Sequence, residues 1–357
     1  MDIIDALCLT AGSARASDLY LHAGRVPQLR IDDQLNLIEN AAPVTPEELE
    51  AFWVHCGGDV NARDFDGSYV ASDGRRFRVN LFRSLDVRGA VLRPIKTEIP
   101  PLESLGLPVD LLVSWIERPT GLLLVTGPTG SGKSTTVASC LDWLNQHRAY
   151  HVVTIEDPVE YLFRSASSLF TQREVGTDTP SFAEGLRRSL RQSPDVILLG
   201  EIRDSVSAIT ALEAAETGHL VLATLHSSNV LDSLERLSRL FEVREREGVL
   251  QVLSQQLVGI LCQRLVPAEG GGVALVVEHF ENQAVSRKWI LEGKFRELAD
   301  HVGRGDNPGN VTFLQSLVAL TQSGRISEAV AMQAAANPQE LHRRLRGINT
   351  SSMVTGH

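Results

Sequence analysis

Polar and apolar residues alternate through Arg76-Phe77-Arg78-Val79-Asn80-Leu81-Phe82, and a period of two predicts a half-buried strand. Val87–Leu92 reads as its neighbour. Upstream, Thr45-Pro46-Glu47-Glu48 carries the marks of a helix start: a capping side chain, a proline suited to the first turn and a glutamate at the capping-box position. Short strands mixed with helices predict an α+β domain with an antiparallel sheet over residues 1–95. Pro94, Pro100, Pro101 and Pro108 then crowd one stretch, and prolines at that density end regular structure and stiffen a connection. Residues 96–109 are therefore expected to form a linker and hinge.

Beyond residue 110 the pattern changes. Apolar runs at 121–126, 151–155, 195–199, 219–224 and 273–277 predict buried strands separated by helical stretches. Ala208, Ala211, Leu212 and Ala215 fall on one helix face before Gly218. Val249, Leu250, Val252, Leu253, Leu257, Ile260 and Leu261 are expected on another. Buried runs alternating with helices predict an α/β domain over 110–347, its mostly parallel sheet covered on both faces and its end, 310–345, helical. Gly270-Gly271-Gly272 reads as a surface loop, and the tail 348–357 is expected to be flexible.

Composition narrows the class without deciding it. The 357 residues are 43% hydrophobic and 22% charged, ordinary for a globular protein with room for two cores. A formal net charge of −10 argues against a surface built to bind nucleic acid. No apolar run approaches the roughly 18–20 residues that span a bilayer. The start, Met1-Asp2-Ile3-Ile4-Asp5, lacks a basic n-region, so a cytoplasmic protein is expected. Cys8, Cys56, Cys140 and Cys262 are scattered with no C-x-x-C, which predicts buried free thiols and neither zinc nor a disulfide framework.

The chemistry centres on Gly127-Pro128-Thr129-Gly130-Ser131-Gly132-Lys133-Ser134, which reads G-x-x-x-x-G-K-S. Leu122–Val125 precedes it as a buried strand, and Val137, Cys140, Leu141 and Leu144 follow at helical spacing. Strand, glycine loop and helix form a phosphate cradle, in which backbone N–H groups and the helix start favour a triphosphate. Lys133 would reach the β- and γ-phosphates of ATP and Ser134 would hold Mg²⁺. Asp195–Glu201 is an apolar strand ending in an acid, and Thr154-Ile155-Glu156-Asp157 is a second. Either Glu156 or Glu201 can polarise the attacking water, and Glu201 can also serve Mg²⁺ directly or through water. Arg187 and Arg191, four apart before the acidic strand, and Arg203 just after it, are candidate cations for the transition state, with Arg78 and Arg93 in the first domain. His219 precedes the strand 220–224 and His226 follows it, the second well placed to bond a phosphate or sense its loss.

These residues resemble the secretion ATPase superfamily, and most of all its type IV pilus retraction (PilT) branch. The resemblance is carried by the Walker A segment 127–136 (Thr135 included), the acidic box Thr154–Tyr161, the block Gln172-Arg173-Glu174-Val175, the Walker B region Leu186–Asp204 and the histidine box Ala214–His226. In the first domain, Ser17-Asp18-Leu19-Tyr20-Leu21 through Gly24, Arg75–Asn80 and Val91–Ile95 join in. The match runs in order over about 15–265.

What the resemblance implies is a PAS-like N-terminal α+β domain, a RecA-like P-loop ATPase domain and a homohexameric ring with ATP between the two domains. It assigns Lys133, Ser134, Glu156, Glu201, His219 and His226 to functional boxes. Arg78 and Arg93 would reach the nucleotide from the first domain, and Arg187 and Arg191 would contribute from the second. The implied partner is an inner-membrane platform protein, at whose base the ring would work in the cytoplasm to retract a pilus. The zinc element and long N-terminal extension of assembly ATPases have no counterpart here. The retraction branch's A-I-R-N-L-I-R-E motif is reduced, at Ala284–Leu291, to its apolar and basic pattern. A type IVB or type II-like secretion ATPase is therefore the alternative, and a nucleotide-responsive scaffold with negligible turnover the different-class rival.

Overall fold

The alternation at Arg76–Phe82 becomes a long strand whose Phe77, Val79 and Leu81 are buried, in a computed structural model that describes residues 2–59, 61–304 and 307–347. The expectation for the tail 348–357 lies outside the described residues. Two units are present: Met1–Glu98 with Pro158–Leu162, and Ile99–Asp157 with Phe163–His357.

The first unit runs α1 (Asp2–Ser13), β1 (Asp18–His22), β2 (Gln28–Ile31), β3 (Gln34–Leu37), α2 (Pro46–His55), β4 (Asp64–Val70), β5 (Arg76–Ser84) and β6 (Val87–Pro94). Its strands make one antiparallel sheet in the order β3-β2-β1-β6-β5-β4. Leu19, Leu21, Val79, Leu81 and Leu92 on one face pack with Ile4 and Cys8 of α1 and with Leu49, Phe52 and Trp53 of α2. The capping box read at Thr45 is formed: the Thr45 hydroxyl accepts from Glu48 N–H, and Glu48 accepts from Thr45 N–H. Pro158–Leu162 joins this unit through Lys96, whose N–H donates to Glu160 and whose carbonyl accepts from Leu162.

In the second unit a short 3-10 turn, Leu102–Leu105, leads to α3 (Val109–Ile116), β7 (Gly121–Thr126), α4 (Lys133–His147), β8 (His151–Glu156) and β9 (Leu169–Glu174). Next come α5 (Phe182–Ser189), β10 (Val196–Leu199), α6 (Ser205–Glu216), β11 (Leu220–Leu225), α7 (Val230–Arg239), α8 (Val243–Gln256), β12 (Leu257–Pro267) and β13 (Val273–Glu281). The chain ends in α9 (Ala284–Leu291), α10 (Phe295–Arg304), α11 (Phe313–Gln322), α12 (Glu328–Ala334) and α13 (Pro338–Leu345). The sheet order is β13-β12-β7-β11-β10-β8-β9, parallel throughout except for β13, so the sheet is mixed. Alternate residues feed two cores. Leu122, Leu124, Ile155, Ile197 and Ala223 face α5, α6 and α8, while Leu123, Val125, Val152, Leu198 and Leu222 face α3 and α4. The last helices pack on the β12–β13 hairpin through Leu317, Ile326, Ala331 and Leu341.

Two elements depart from the sequence reading. The helix expected to carry Leu257, Ile260 and Leu261 stops at Gln256, and 257–267 is a strand between β7 and β13. A strand buried on both faces shows no alternation, so its apolar run looks like the continuation of a helix face. Edge strand β9, whose burial is only partial, went unread for the opposite reason: its composition is mixed. Gly270–Gly272, all at positive φ, close the β12–β13 hairpin.

Candidate active site

The phosphate loop is built by its glycines. Gly127, Gly130 and Gly132 have φ of 148°, 77° and 89°, a region that side chains rarely adopt. At Gly127 a Cβ would lie 2.5 Å from the Gln263 carbonyl and 2.5 Å from Ser131 Oγ. Gln263 comes from β12, whose Cys262 is opposite Thr126, so the misread strand forms one wall of the loop. Lys133 opens α4, and its buried ammonium donates to the carbonyls of Gly127 at 2.9 Å and Pro128 at 3.0 Å. The buried Ser131 hydroxyl has no hydrogen-bond partner. Pro128, Thr129 and Gly130 are exposed, and Ser134 and Thr135 are half-buried in the first turn of α4.

Those features fit a polyphosphate. A buried cation resting on neutral carbonyls gains from charged acceptors. An orphaned buried hydroxyl is a cost that a phosphate oxygen removes. For Mg²⁺ the donors at hand are oxygens, the Ser134 hydroxyl and the Glu156 and Glu201 carboxylates, which suit a hard cation that keeps several waters. Among the described residues no group of three or more His, Cys, Asp or Glu side chains could cage an ion alone.

The strand register brings the acids to the same edge. Leu199 is opposite both Ile155 and Ala223, so Glu156 as the last residue of β8, and Glu201 and His226 just past β10 and β11, fall at the carboxyl edge beside the loop, where open α/β sheets bind ligands. Glu156 is 8% exposed, and its Oε1 accepts from Thr154 Oγ1 at 2.7 Å and Gln172 Nε2 at 3.4 Å. Glu201 accepts from Arg203 Nε at 2.6 Å, and Arg203 also donates to Asp157 at 2.9 Å. His226 Nε2 lies 3.4 Å from Glu201 Oε1. Burial, and then the Lys133 charge, hold the His226 imidazole below its ordinary value, which favours the neutral ring. Gly200 is pinned between the strands: its N–H donates to Ile155 and its carbonyl accepts from Thr224 Oγ1.

Of the other predicted residues, His219, Arg187 and Arg191 lie elsewhere in the second unit. His219 sits at the amino end of β11, roughly 20 Å of extended strand from His226, with Nδ1 donating to the Ala214 carbonyl at 3.0 Å. Arg187 is exposed and pairs with Glu184 at 3.1 Å. Arg191 does not continue its helix face, because α5 ends at Ser189 and a 3-10 turn, Leu190–Gln192, follows. The Gln192 carbonyl meets His151 at the start of β8, so Arg191 is at the sheet edge away from the loop. Arg78 and Arg93 are cross-strand partners in the first unit. Arg78 lies 3.8 Å from Asp66, and Arg93 binds the buried Asp18 through Nε at 2.8 Å and Nη2 at 2.7 Å. Thr154, Gln172 and Gln263 went unassigned in the sequence, and only the strand register could have found them.

The family described as Type II/IV secretion system protein matches residues 72–294. The type IV pilus retractation ATPase PilT of Pseudomonas aeruginosa is 37% identical over 345 residues, covering 95% of this chain and 99% of the relative. A crystal structure of the pilus retraction motor PilT with bound ADP is similar at a TM-score of 0.87 and 40% identity, covering 95% of this chain and 99% of that one. The Legionella pneumophila ATPase DotB is similar at a TM-score of 0.82 and 29% identity, over 92% of this chain and 94% of that one.

Proposed function

The chain belongs to the Type II/IV secretion system protein family, and from that premise we propose that it is a P-loop ATPase driving type IV pilus retraction as a homohexamer. The observation that carries the reading is the loop: a buried ammonium and an orphaned buried hydroxyl beside strand ends that present Glu156, Glu201 and His226. End-to-end likeness to PilT supports retraction as the task. A PAS-like first unit, a RecA-like second unit and a cytoplasmic ring beneath an inner-membrane platform protein complete the proposal. No helix among the described residues is long and apolar enough to cross a membrane.

On ATP binding, Lys133 exchanges the Gly127 and Pro128 carbonyls for the β- and γ-phosphates. Loop N–H groups, the start of α4 and the Ser131 hydroxyl take up the remaining phosphate charge, with Thr135 beside them. Mg²⁺, which neutralises charge on the phosphates, would be held by the Ser134 hydroxyl, with Glu201 behind it directly or through water. Glu156 is the acid that orients water. It accepts the water proton as the oxygen bonds to the γ-phosphorus; the bond to the bridging oxygen breaks, and ADP leaves with that electron pair. Glu201 is proposed for the place behind the metal, where Arg203 and His226 hold its two oxygens. Neutral His226 follows the γ-phosphate through its contact with Glu201. Arg78 and Arg93 are proposed as the cations of turnover, while Arg187, Arg191 and His219 are left outside this chain's own site.

Steady-state Mg-ATPase rates on protein sized by light scattering test the reading. Lys133→Ala and Glu156→Gln should each lose about 100-fold or more. A Lys133→Ala protein that still hydrolyses Mg-ATP sinks the site. The DotB likeness favours one second reading, a secretion-system ATPase. Binding to a secretion platform and not to a pilus platform would select it.

A further inference from the structure

Gln172 opens a sequence block that the chemistry above leaves without a task. β8 and β9 run parallel, and their register sets Thr154 opposite Gln172 and Glu156 opposite Glu174. Alternation along the strand turns Thr154, Glu156 and Gln172 toward one face. Thr154 is fully buried in a strand whose neighbours Val152, Val153 and Ile155 are apolar and buried. A hydroxyl there is costly unless bonded, and it donates to the Glu156 carboxylate at 2.7 Å. Threonine's branched Cβ restricts the direction of that bond. The Gln172 amide adds a second donor to the same oxygen at 3.4 Å. Gln172 is itself anchored, since its Oε1 accepts from Phe163 N–H at 3.0 Å.

We propose that Thr154 and Gln172 are positioning residues for hydrolysis. They hold Glu156 Oε1 between two donors, so that the carboxylate meets the attacking water in one orientation. Neither side chain need touch the nucleotide. The role rests on Glu156 being the acid that orients the water. It also gives the parallel edge strand β9 a function: it carries one of the two donors to the site.

The test is steady-state Mg-ATPase kinetics on the full chain with Thr154→Val, Thr154→Ser, Gln172→Leu and Glu156→Gln. Thr154→Val is nearly isosteric and keeps the branched Cβ that suits a buried strand. In Thr154→Val and Gln172→Leu, kcat should fall about 10- to 100-fold while KM for ATP stays within about twofold. Thr154→Ser, which keeps the hydroxyl, should recover most of the rate. Thr154→Val at the wild-type kcat, equal losses in Thr154→Val and Thr154→Ser, or a loss confined to KM overturns the positioning role. Glu156→Gln turning over as fast as wild type overturns instead the reading of Glu156, so the two failures are distinct.

Discussion

Burial pushes the Glu278 carboxyl above the usual carboxylate range, although two helices depend on it. Its oxygens accept from Val230 N–H, at the start of α7, at 2.7 Å and from Phe313 N–H, at the start of α11, at 3.4 Å. A folded-state value raised above the unfolded value contributes stability that is complete below the unfolded pKa and is lost as pH rises through the folded one. Glu278→Gln keeps one acceptor oxygen for the helix starts and carries no titrating proton. The wild type should therefore lose stability relative to Glu278→Gln as pH rises above the ordinary carboxylate value of about 4.5, measured by urea unfolding; parallel pH profiles would refute the assignment. Legibility at this scale follows the kind of signal. Lys133 and Ser134 could be read directly, because the loop needs a fixed spacing of residue types. Glu156, Glu201 and His226 could be read as strand ends, and the sheet does bring them to one edge. Thr154 and Gln172 could not, since their contact depends on which strands pair and in which register.

At the scale of the element, β12 is where propensity and tertiary context part. As a helix, residues 257–261 would present Gly259 as a weak spot, and Gly259→Ala would stabilise by about 1 kcal/mol. In the strand that forms, a Cβ at Gly259 would lie 2.7 Å from the Trp115 ring and 2.8 Å from the Phe280 carbonyl. The carbonyl belongs to the paired strand and cannot rotate away as a side chain can. Gly259→Ala should therefore destabilise by about 1–3 kcal/mol, as overpacking does, read as a lower urea midpoint at an unchanged m-value. The two assignments predict opposite signs from one substitution. Strands β7, β10 and β11 were legible because helices bracket their apolar runs, and β8 because its apolar run follows a helix and ends in acids. β12 was not, because it follows α8 without a break: Leu257 is both the cap of that helix and the first strand residue. The same strand supplies the Gln263 wall of the phosphate loop. An error in one element thus hid part of the site.

For the whole molecule, the proposed ring would work through the way sites in separate subunits answer one another. The prolines marked where the sequence changes character, but the membership of Pro158–Leu162 in the first unit follows from hydrogen bonds to Lys96 that no local pattern announces. That segment begins directly after Asp157, which binds Arg203, itself the partner of Glu201. If subunits of the proposed ring fire in turn, each site waits on its neighbour, and a subunit that binds no ATP stalls the cycle. Co-refolded mixtures of wild type and Lys133→Ala, sized as hexamers, should then lose activity faster than the wild-type fraction falls, with a one-to-one mixture well below half the wild-type rate. A strictly linear decline would mean that the sites fire independently. The coupling would then have to lie in the membrane partner and not in the ring.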